Sequence, residues 1–181
     1  MKQEDFPQML ARNVIYESDW VSLYQDRVRM PDGSVIPAYH RLHYPFESVA
    51  CVVINERDEI LMIQSKRYTT GRMEWEIPAG RVERGESAAE AAKRECLEET
   101  GCTLKDLTFL CTQNPSNGMS DLTVHVFAAR VDAQSRDFDE NEVSKTAWME
   151  KGRVIQMLRD NEIRCGLSML SLLYAIQFYM G

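Results

Sequence analysis

The chain has 181 residues, a length that suits one domain with a substantial hydrophobic core. It contains 28 acidic and 21 basic residues, which gives a formal net charge of -7. This excess of negative charge argues against a nucleic-acid-binding surface and against attraction to an anionic membrane. An anionic ligand would therefore have to be held by local arginines or by a bound metal ion.

The N-terminal part of the chain predicts a β-hairpin. Apolar and polar residues alternate at 20–24 and again at 35–42, as they do in half-buried strands. Between them, residues 30–34 read Met-Pro-Asp-Gly-Ser, which places proline and glycine where a turn needs them. We predict a hairpin arm over residues 1–47. Its apolar positions have no assigned partner, so the arm is a candidate dimer contact.

Residues 48–181 predict one domain of mixed strands and helices. Two continuous apolar runs, 48–55 and 60–64, are joined by a polar turn and predict buried strands. Further strands are predicted at 73–77, 107–112, 123–131 and 145–149, and helices at 153–159 and 167–180. Together with one more helix between these strands, the pattern favours an α/β/α sandwich around a mixed β-sheet.

That additional helix is predicted over residues 88–100 by its end signals. Ser87 occupies the N-cap position, and Glu90, three residues later, completes a capping box. Gly101 stands where a helix commonly ends in a left-handed residue.

Three carboxylates of this helix, Glu95, Glu98 and Glu99, are spaced i, i+3 and i+4 and share one side with small alanines. Carboxylates near a helix C-terminus cost about 0.3–1 kcal/mol each against the dipole. A hard divalent cation, Mg²⁺ or Mn²⁺, would offset this cost, because such ions prefer oxygen ligands. The alternative is a solvated acidic face that pairs with Arg94. The helix alone leaves both interpretations open.

Five cysteines occur without a CxxC spacing or a pairing pattern, which predicts reduced thiols in a reducing compartment. The N-terminal residues are polar, unlike a secretory signal, and the longest apolar stretch, 167–179, is too short to span a bilayer. We therefore expect a cytoplasmic protein without a membrane partner.

The spacing around the helix resembles the Nudix box, the signature of the Nudix hydrolases. Gly80 is followed by five residues and Glu86, then by seven residues and the run 94–101, which reads Arg-Glu-Cys-Leu-Glu-Glu-Thr-Gly. All seven fixed positions of the motif match. Cys96 and Cys102 replace bulky aliphatic residues of the family pattern, and we expect them to pack as small hydrophobes.

The flanks of the box resemble the ADP-ribose pyrophosphatase branch of that family. Residues 76–80 read Glu-Ile-Pro-Ala-Gly and residues 114–118 read Asn-Pro-Ser-Asn-Gly. The resemblance covers residues 48–176 and implies a Nudix-type fold with the α/β/α layers expected above. It also implies a homodimer, in agreement with the unpartnered hairpin arm.

The resemblance implies a metal site on the helix. Glu95 and Glu99 would hold the ions, with Glu98 assisting and with the backbone carbonyl of Ala79 as a further ligand. Arg94 would act within the catalytic machinery by orienting carboxylates, and Glu86 would support it through a direct contact.

A general base is missing from the box. The acidic loop at 137–142 precedes a strand with a tryptophan, and the ADP-ribose branch commonly places catalytic acids in such a loop. We assign Glu140 as the base and Glu142 as an extra metal ligand, although which of the two residues has which role is open. The alternative is a solvated acidic turn.

Substrate contacts are also expected outside the box. By resemblance, Arg67 reaches the diphosphate or the terminal ribose, and Arg41 occupies a comparable position upstream. Ser116, Asn117 and Gly118 lie in a loop that lines the substrate pocket in the ADP-ribose branch. Without the resemblance, this loop is an ordinary turn.

The expected activity is Mg²⁺-dependent hydrolysis of the diphosphate of a nucleoside diphosphate sugar, with ADP-ribose giving AMP and ribose 5-phosphate. A first alternative is another nucleotide sugar such as GDP-mannose. A second is a non-catalytic nucleotide-sugar-binding module, although the intact box carboxylates argue against it. Removal of a 5′-terminal pyrophosphate from RNA is disfavoured by the acidic composition.

Overall fold

The computed structural model describes residues 6–135, 138 and 141–181. Its contacts divide the chain into two compact units. The N-terminal unit comprises Met1–Glu47 and Asn114–Leu122, and the large unit comprises Ser48–Gln113 and Thr123–Gly181. Residues 114–122, which the sequence analysis assigned to the larger domain, thus belong to the smaller unit.

The N-terminal unit contains, within its described residues, a three-stranded antiparallel sheet in the order β1-β2-β3. The strands are β1 (Gln8–Tyr16), β2 (Ser22–Arg29) and β3 (Val35–His43). The predicted hairpin corresponds to β2 and β3, joined by a turn in which Gly33 has φ +84°. The hairpin is confirmed, and β1, which the sequence analysis did not predict, adds a third strand.

β1 escaped prediction because it lacks a period of two. Its pairing with β2 shifts between Met9 and Ala11 and again between Val14 and Tyr16. Such bulges interrupt the alternation of side chains that marks a strand in a sequence. Every residue of β1 is also exposed within the chain, so burial leaves no pattern either.

The large unit is built on a mixed sheet that has seven strands in the described part of the chain, with the path β10-β5-β4-β9-β8. β6 pairs with β5 and β7 with β4, and among the described strands of this sheet the β4–β9 pair is parallel and the other pairs are antiparallel. The strands are β4 (Ser48–Ile54), β5 (Glu59–Arg67), β6 (Arg72–Glu76), β7 (Ala79–Arg81), β8 (Cys102–Gln113), β9 (Val124–Gln134) and β10 (Val143–Glu150). The sequence analysis did not predict β7.

The helices of the large unit are α1 (Ala88–Thr100), α2 (Lys151–Arg159) and α3 (Gly166–Phe178). The predicted ends of α1 are confirmed. Ser87 and Glu90 form both hydrogen bonds of the capping box, and Gly101 caps the C-terminus with φ 69°. No helix among the described residues combines the length and the apolar composition of a membrane span.

The core of the large unit lies on both faces of β4. Val49, Cys51 and Val53 pack under α1 in one cluster with Cys96 and Cys102. The alternate residues of β4 are equally buried and point to the opposite face, and α3 also contacts this strand. The predicted α/β/α arrangement is confirmed. Cys96 and Cys102 are fully buried, as expected of small hydrophobes, and the five cysteines are free thiols.

Candidate active site

Two carboxylates of α1 are held against β7. Glu99 is only 5% exposed, and its Oε2 accepts a hydrogen bond of 2.9 Å from the backbone N–H of Ala79. Glu95 lies directly over Gly80, where a Cβ atom would sit 2.0 Å from the Glu95 carboxyl carbon. Glycine at position 80 lets the Glu95 carboxylate approach the backbone this closely, and a larger residue would displace the end of that side chain.

Burial raises the pKa of both carboxyl groups. The pKa of Glu99 rises to about 8 through burial and through the nearby charges of Glu95 and Glu142, while the hydrogen bond from Ala79 opposes the shift. Burial also raises the pKa of Glu95, and Arg94 opposes it. The charge of Glu142 also contributes to the raised pKa of both groups. Carboxylates gathered in this way favour a cation among them.

Arg94 links the helix to the loop before it. Its Nη1 donates to Glu95 at 2.9 Å and to Glu98 at 3.1 Å. Its Nε and Nη2 donate to Glu86 at 3.2 and 2.7 Å, and Nη2 also reaches the carbonyl of Arg81 at 2.8 Å. The contacts that the sequence analysis expected with Glu86 and Glu98 are present. Glu98 itself is 54% exposed, unlike Glu95 and Glu99.

The donor set suits a hard divalent ion. It consists of carboxylate oxygens with the backbone of Ala79 beside them, which is the chemistry that Mg²⁺ and Mn²⁺ prefer. Gly80 keeps the approach to Glu95 open, since a Cβ would fill that space. No three His, Cys, Asp or Glu side chains in the described ranges converge into a finished metal cluster.

A cleft of about 470 Å³ borders this site. Four arginines, Arg67, Arg72, Arg81 and Arg164, contribute to its wall, so a cleft in an acidic protein is locally basic. The other lining residues include two carboxylates and several polar, small or apolar residues, namely Ser48, Val49, Thr69, Thr70, Glu74, Glu76, Ala79, Gly80, Cys165 and Leu167. This wall is suited to a phosphate-bearing ligand.

Arg67 is oriented in the cleft by a carboxylate that the sequence analysis did not pair with it. Its Nε donates to Glu76 at 2.8 Å, and its Nη2 donates to the other oxygen of the same carboxylate. The side chain of Glu76 is 5% exposed and that of Arg67 is 45% exposed. A buried carboxylate thus holds a half-exposed guanidinium at the surface of the cleft. The pKa of Arg67 is raised, chiefly by Glu76.

The remaining predicted substrate contacts lie in the N-terminal unit. Arg41 and His43 both contact the carboxylate of Asp121. Ser116, Asn117 and Gly118 form an exposed turn. The hydroxyl group of Tyr39 donates a 2.6 Å hydrogen bond to the Gly118 carbonyl, and Leu42 donates to the carbonyl of Met119. These bonds attach the turn to β3.

The predicted base, Glu140, lies outside the described residues. Glu142 is described, and its charge raises the pKa of Glu95 and Glu99. The sequence analysis missed Arg72 and Glu74, although a signal existed. In a hairpin, residues that pair directly lie on the same face of the sheet, and so do alternate residues of one strand. If Arg67 faces the cleft, Arg72 and Glu74 are therefore expected to face it as well. Arg164 comes from the connection between α2 and α3 and had no such signal.

Comparison with known proteins places this geometry in a family. Residues 45–164 match the NUDIX domain, and residues 8–42 match the nucleoside diphosphate sugar hydrolase N-terminal domain. The chain is 30% identical to an ADP-ribose pyrophosphatase of Bacillus subtilis over 157 aligned residues. The alignment covers 85% of this chain and 84% of the relative. It is 29% identical over 150 residues to the CMP-5'-(N-acetyl-N-hydroxy-3-aminopropyl)phosphonate hydrolase of Streptomyces rubellomurinus, with 82% and 72% covered.

The fold agrees with this placement. A crystal structure of an ADP compounds hydrolase matches with a TM-score of 0.86 at 22% identity, covering 100% of this chain and 98% of that one. The predicted Nudix resemblance is therefore confirmed by a domain match over most of the chain and by a relative of nearly equal length. The chain belongs to the Nudix family and is a Nudix hydrolase.

Proposed function

We propose that this protein hydrolyses the diphosphate bond of a nucleoside diphosphate sugar. The observation that carries the proposal is the position of Glu95 and Glu99, which lie behind Ala79 and Gly80 at the edge of an arginine-lined cleft. Carboxylates that can bind a metal ion thus lie next to arginines that can bind phosphate groups. Hydrolysis of a diphosphate needs both, because negative charge must be neutralised while a water attacks.

ADP-ribose is the substrate that we favour, with AMP and ribose 5-phosphate as products. The Bacillus subtilis relative, which matches over most of both chains, is an ADP-ribose pyrophosphatase. The match of residues 8–42 to a nucleoside diphosphate sugar hydrolase N-terminal domain supports the same class of substrate.

Glu95, Glu99 and Glu142 would hold the metal, with the carbonyl of Ala79 as a further ligand and Glu98 assisting. Mg²⁺, or Mn²⁺ in its place, supplies charge neutralisation at the diphosphate when bound. Arg94 keeps Glu95 and Glu98 in place while its other nitrogens hold Glu86. Arg67, oriented by Glu76, donates to a phosphate oxygen.

Glu140 acts as the general base in this proposal. It takes a proton from the attacking water, whose oxygen forms a bond to one phosphorus of the diphosphate. The bond from that phosphorus to the bridging oxygen breaks, and its electron pair stays on the leaving phosphate. Arg41, Ser116, Asn117 and Gly118 are proposed substrate contacts of the N-terminal unit, which Arg41→Ala tests through a rise in KM.

The test is incubation with ADP-ribose and Mg²⁺, with AMP and ribose 5-phosphate measured by chromatography. Wild type should turn over and Glu99→Gln should not, while Glu56→Gln, the same chemical change in an exposed turn, should match wild type. Absence of AMP or any nucleoside monophosphate across a panel of nucleotide sugars, with Mg²⁺ and with Mn²⁺, would contradict the proposal.

A second candidate keeps the reaction and changes the substrate to another nucleotide sugar such as GDP-mannose. The Streptomyces relative, named as a hydrolase of a CMP-linked phosphonate, shows that relatives of this identity differ in the attached base. The ratio of kcat/KM on ADP-ribose to that on GDP-mannose decides between the two candidates.

We also propose a homodimer and a cytoplasmic location. β1 exposes Met9, Val14, Ile15 and Tyr16, an apolar surface that a second copy could cover. Sedimentation of a monomer at micromolar concentration would contradict the dimer. The free thiols support a reducing compartment.

A further inference from the structure

The hairpin of β5 and β6 presents one charged face to the cleft. Arg67 pairs directly with Arg72, and alternate residues of β6 continue on that side with Glu74 and Glu76. All four residues line the cleft. Two arginines directly opposite each other repel, so this face requires carboxylates for stability.

The two carboxylates on this face have different partners. Glu76 binds Arg67 through both oxygens. Glu74 is almost as buried, at 8% exposure, yet it makes no hydrogen bond or ion pair with any residue that the structure describes. Because Glu74 lines the cleft, its oxygens are reached from there.

The carboxylate oxygens of Glu74 are open to the cleft and have no partner among the described residues, so a donor on a ligand in the cleft can reach them. A phosphate cannot serve, because it offers only acceptors and carries negative charge. Two donor classes remain within a nucleotide sugar, namely the sugar hydroxyls and the N–H groups of the base.

The lining of the cleft favours the sugar. Among the described residues that form this wall there is no aromatic side chain on which a base could stack. Instead, Thr69 and Thr70 place hydroxyl groups at the tip of the hairpin, and Arg72 supplies a donor beside Glu74. Sugar hydroxyls both donate and accept, so a diol can donate to Glu74 while it accepts from Arg72.

We infer that Glu74 binds the hydroxyl groups of the sugar attached to the diphosphate and thereby selects nucleotide sugars over other diphosphate esters. This inference rests on the proposed function and names a specificity-determining residue for it. It assigns to Glu74 a role separate from that of its neighbour Glu76, which positions Arg67.

The test compares two substrates that differ only in the sugar, ADP-ribose and the β-methyl ester of ADP. Loss of a hydrogen bond to a carboxylate corresponds to about a 10- to 100-fold loss in binding. Glu74→Gln should therefore lower kcat/KM on ADP-ribose about tenfold and Glu74→Ala further. Both variants should retain the wild-type kcat/KM on the methyl ester, which also reports that they fold. Glu56→Gln is the matched control and should leave both values unchanged.

Equal losses on the two substrates would overturn the inference, because Glu74 would then act on the diphosphate, the base or the metal. If wild type turns over neither compound, the proposed function fails, and calorimetric binding of ribose 5-phosphate tests Glu74 by itself. Wild type should then bind about tenfold more tightly than Glu74→Gln. Equal dissociation constants would overturn the inference.

Discussion

Carboxylates in the two units experience opposite environments. In the N-terminal unit, Arg12 hydrogen-bonds both oxygens of Asp26 at 2.8 Å and lowers the pKa of that carboxyl group. In the large unit, burial raises the pKa of Glu95 and Glu99. At Asp26 the contact with Arg12 outweighs the effect of burial, whereas at Glu95 and Glu99 burial outweighs the contacts with Arg94 and Ala79. A carboxyl group whose pKa is raised by burial indicates a candidate binding site, whereas one whose pKa is lowered by a paired arginine indicates a structural contact.

The largest expected effect is that of Glu99→Gln. The amide oxygen can still accept from Ala79, so the fold and the melting temperature should change little. Loss of a ligand worth several kcal/mol should reduce kcat by about 10²–10³-fold or more. Turnover of ADP-ribose measures the loss of kcat, and electron paramagnetic resonance of bound Mn²⁺ measures the loss of the metal ligand. Wild-type Mn²⁺ affinity in the variant would show that Glu99 is not a ligand.

The second-largest expected effect is that of Gly80→Ala, which should lower activity while it leaves stability nearly unchanged. The added Cβ would meet the end of the Glu95 side chain, which can swing away at little cost in stability. The displaced carboxylate should then lower kcat/KM by about 10- to 100-fold, the range seen when ligand orientation is lost. Thermal unfolding and turnover are measured together. A variant with a lower melting temperature and normal activity would contradict the expected displacement.

The Asp26–Arg12 pair should contribute pH-dependent stability of about 1 kcal/mol in the N-terminal unit. Since the pKa of Asp26 is lowered in the folded state, the contribution is fully present above the unfolded value of about 3.9 and is lost as pH falls through the folded value. Hydrogen exchange of β1 amides in wild type and Asp26→Asn should differ at pH 6, and the difference should shrink as the pH falls below about 3.9. A difference that grows on acidification would refute this sign.

Gly33→Ala should have the smallest effect. A Cβ at this position meets no atom within 4 Å, but φ +84° is a conformation that L-residues rarely adopt. The substitution should therefore destabilise the β2–β3 turn by about 1 kcal/mol and leave turnover unchanged. Native-state hydrogen exchange of β2 and β3 measures the destabilisation of the turn. Together with Gly80→Ala, it contrasts a glycine that serves backbone conformation with one that leaves room for the Glu95 carboxylate.

Local signals account for what could be predicted. The ends of α1 follow from Ser87, Glu90 and Gly101, because capping depends on residues within one turn. The β2–β3 turn follows from Gly33 for the same reason. The box spacing identified the family, and helical phase placed Glu95 and Glu99 on the buried side, since 3.6 residues per turn relate positions four apart.

Contacts between distant segments were decided only by the tertiary structure. β1 has no alternation to reveal it, and residues 114–122 join the N-terminal unit across many intervening residues. The pairing of Arg67 with Glu76, and the lack of any described partner for Glu74, depend on strand register and burial. The sequence by itself thus determined the reaction class, through a motif within one short segment. The cleft that receives the substrate required the fold, because its walls come from elements far apart in the chain.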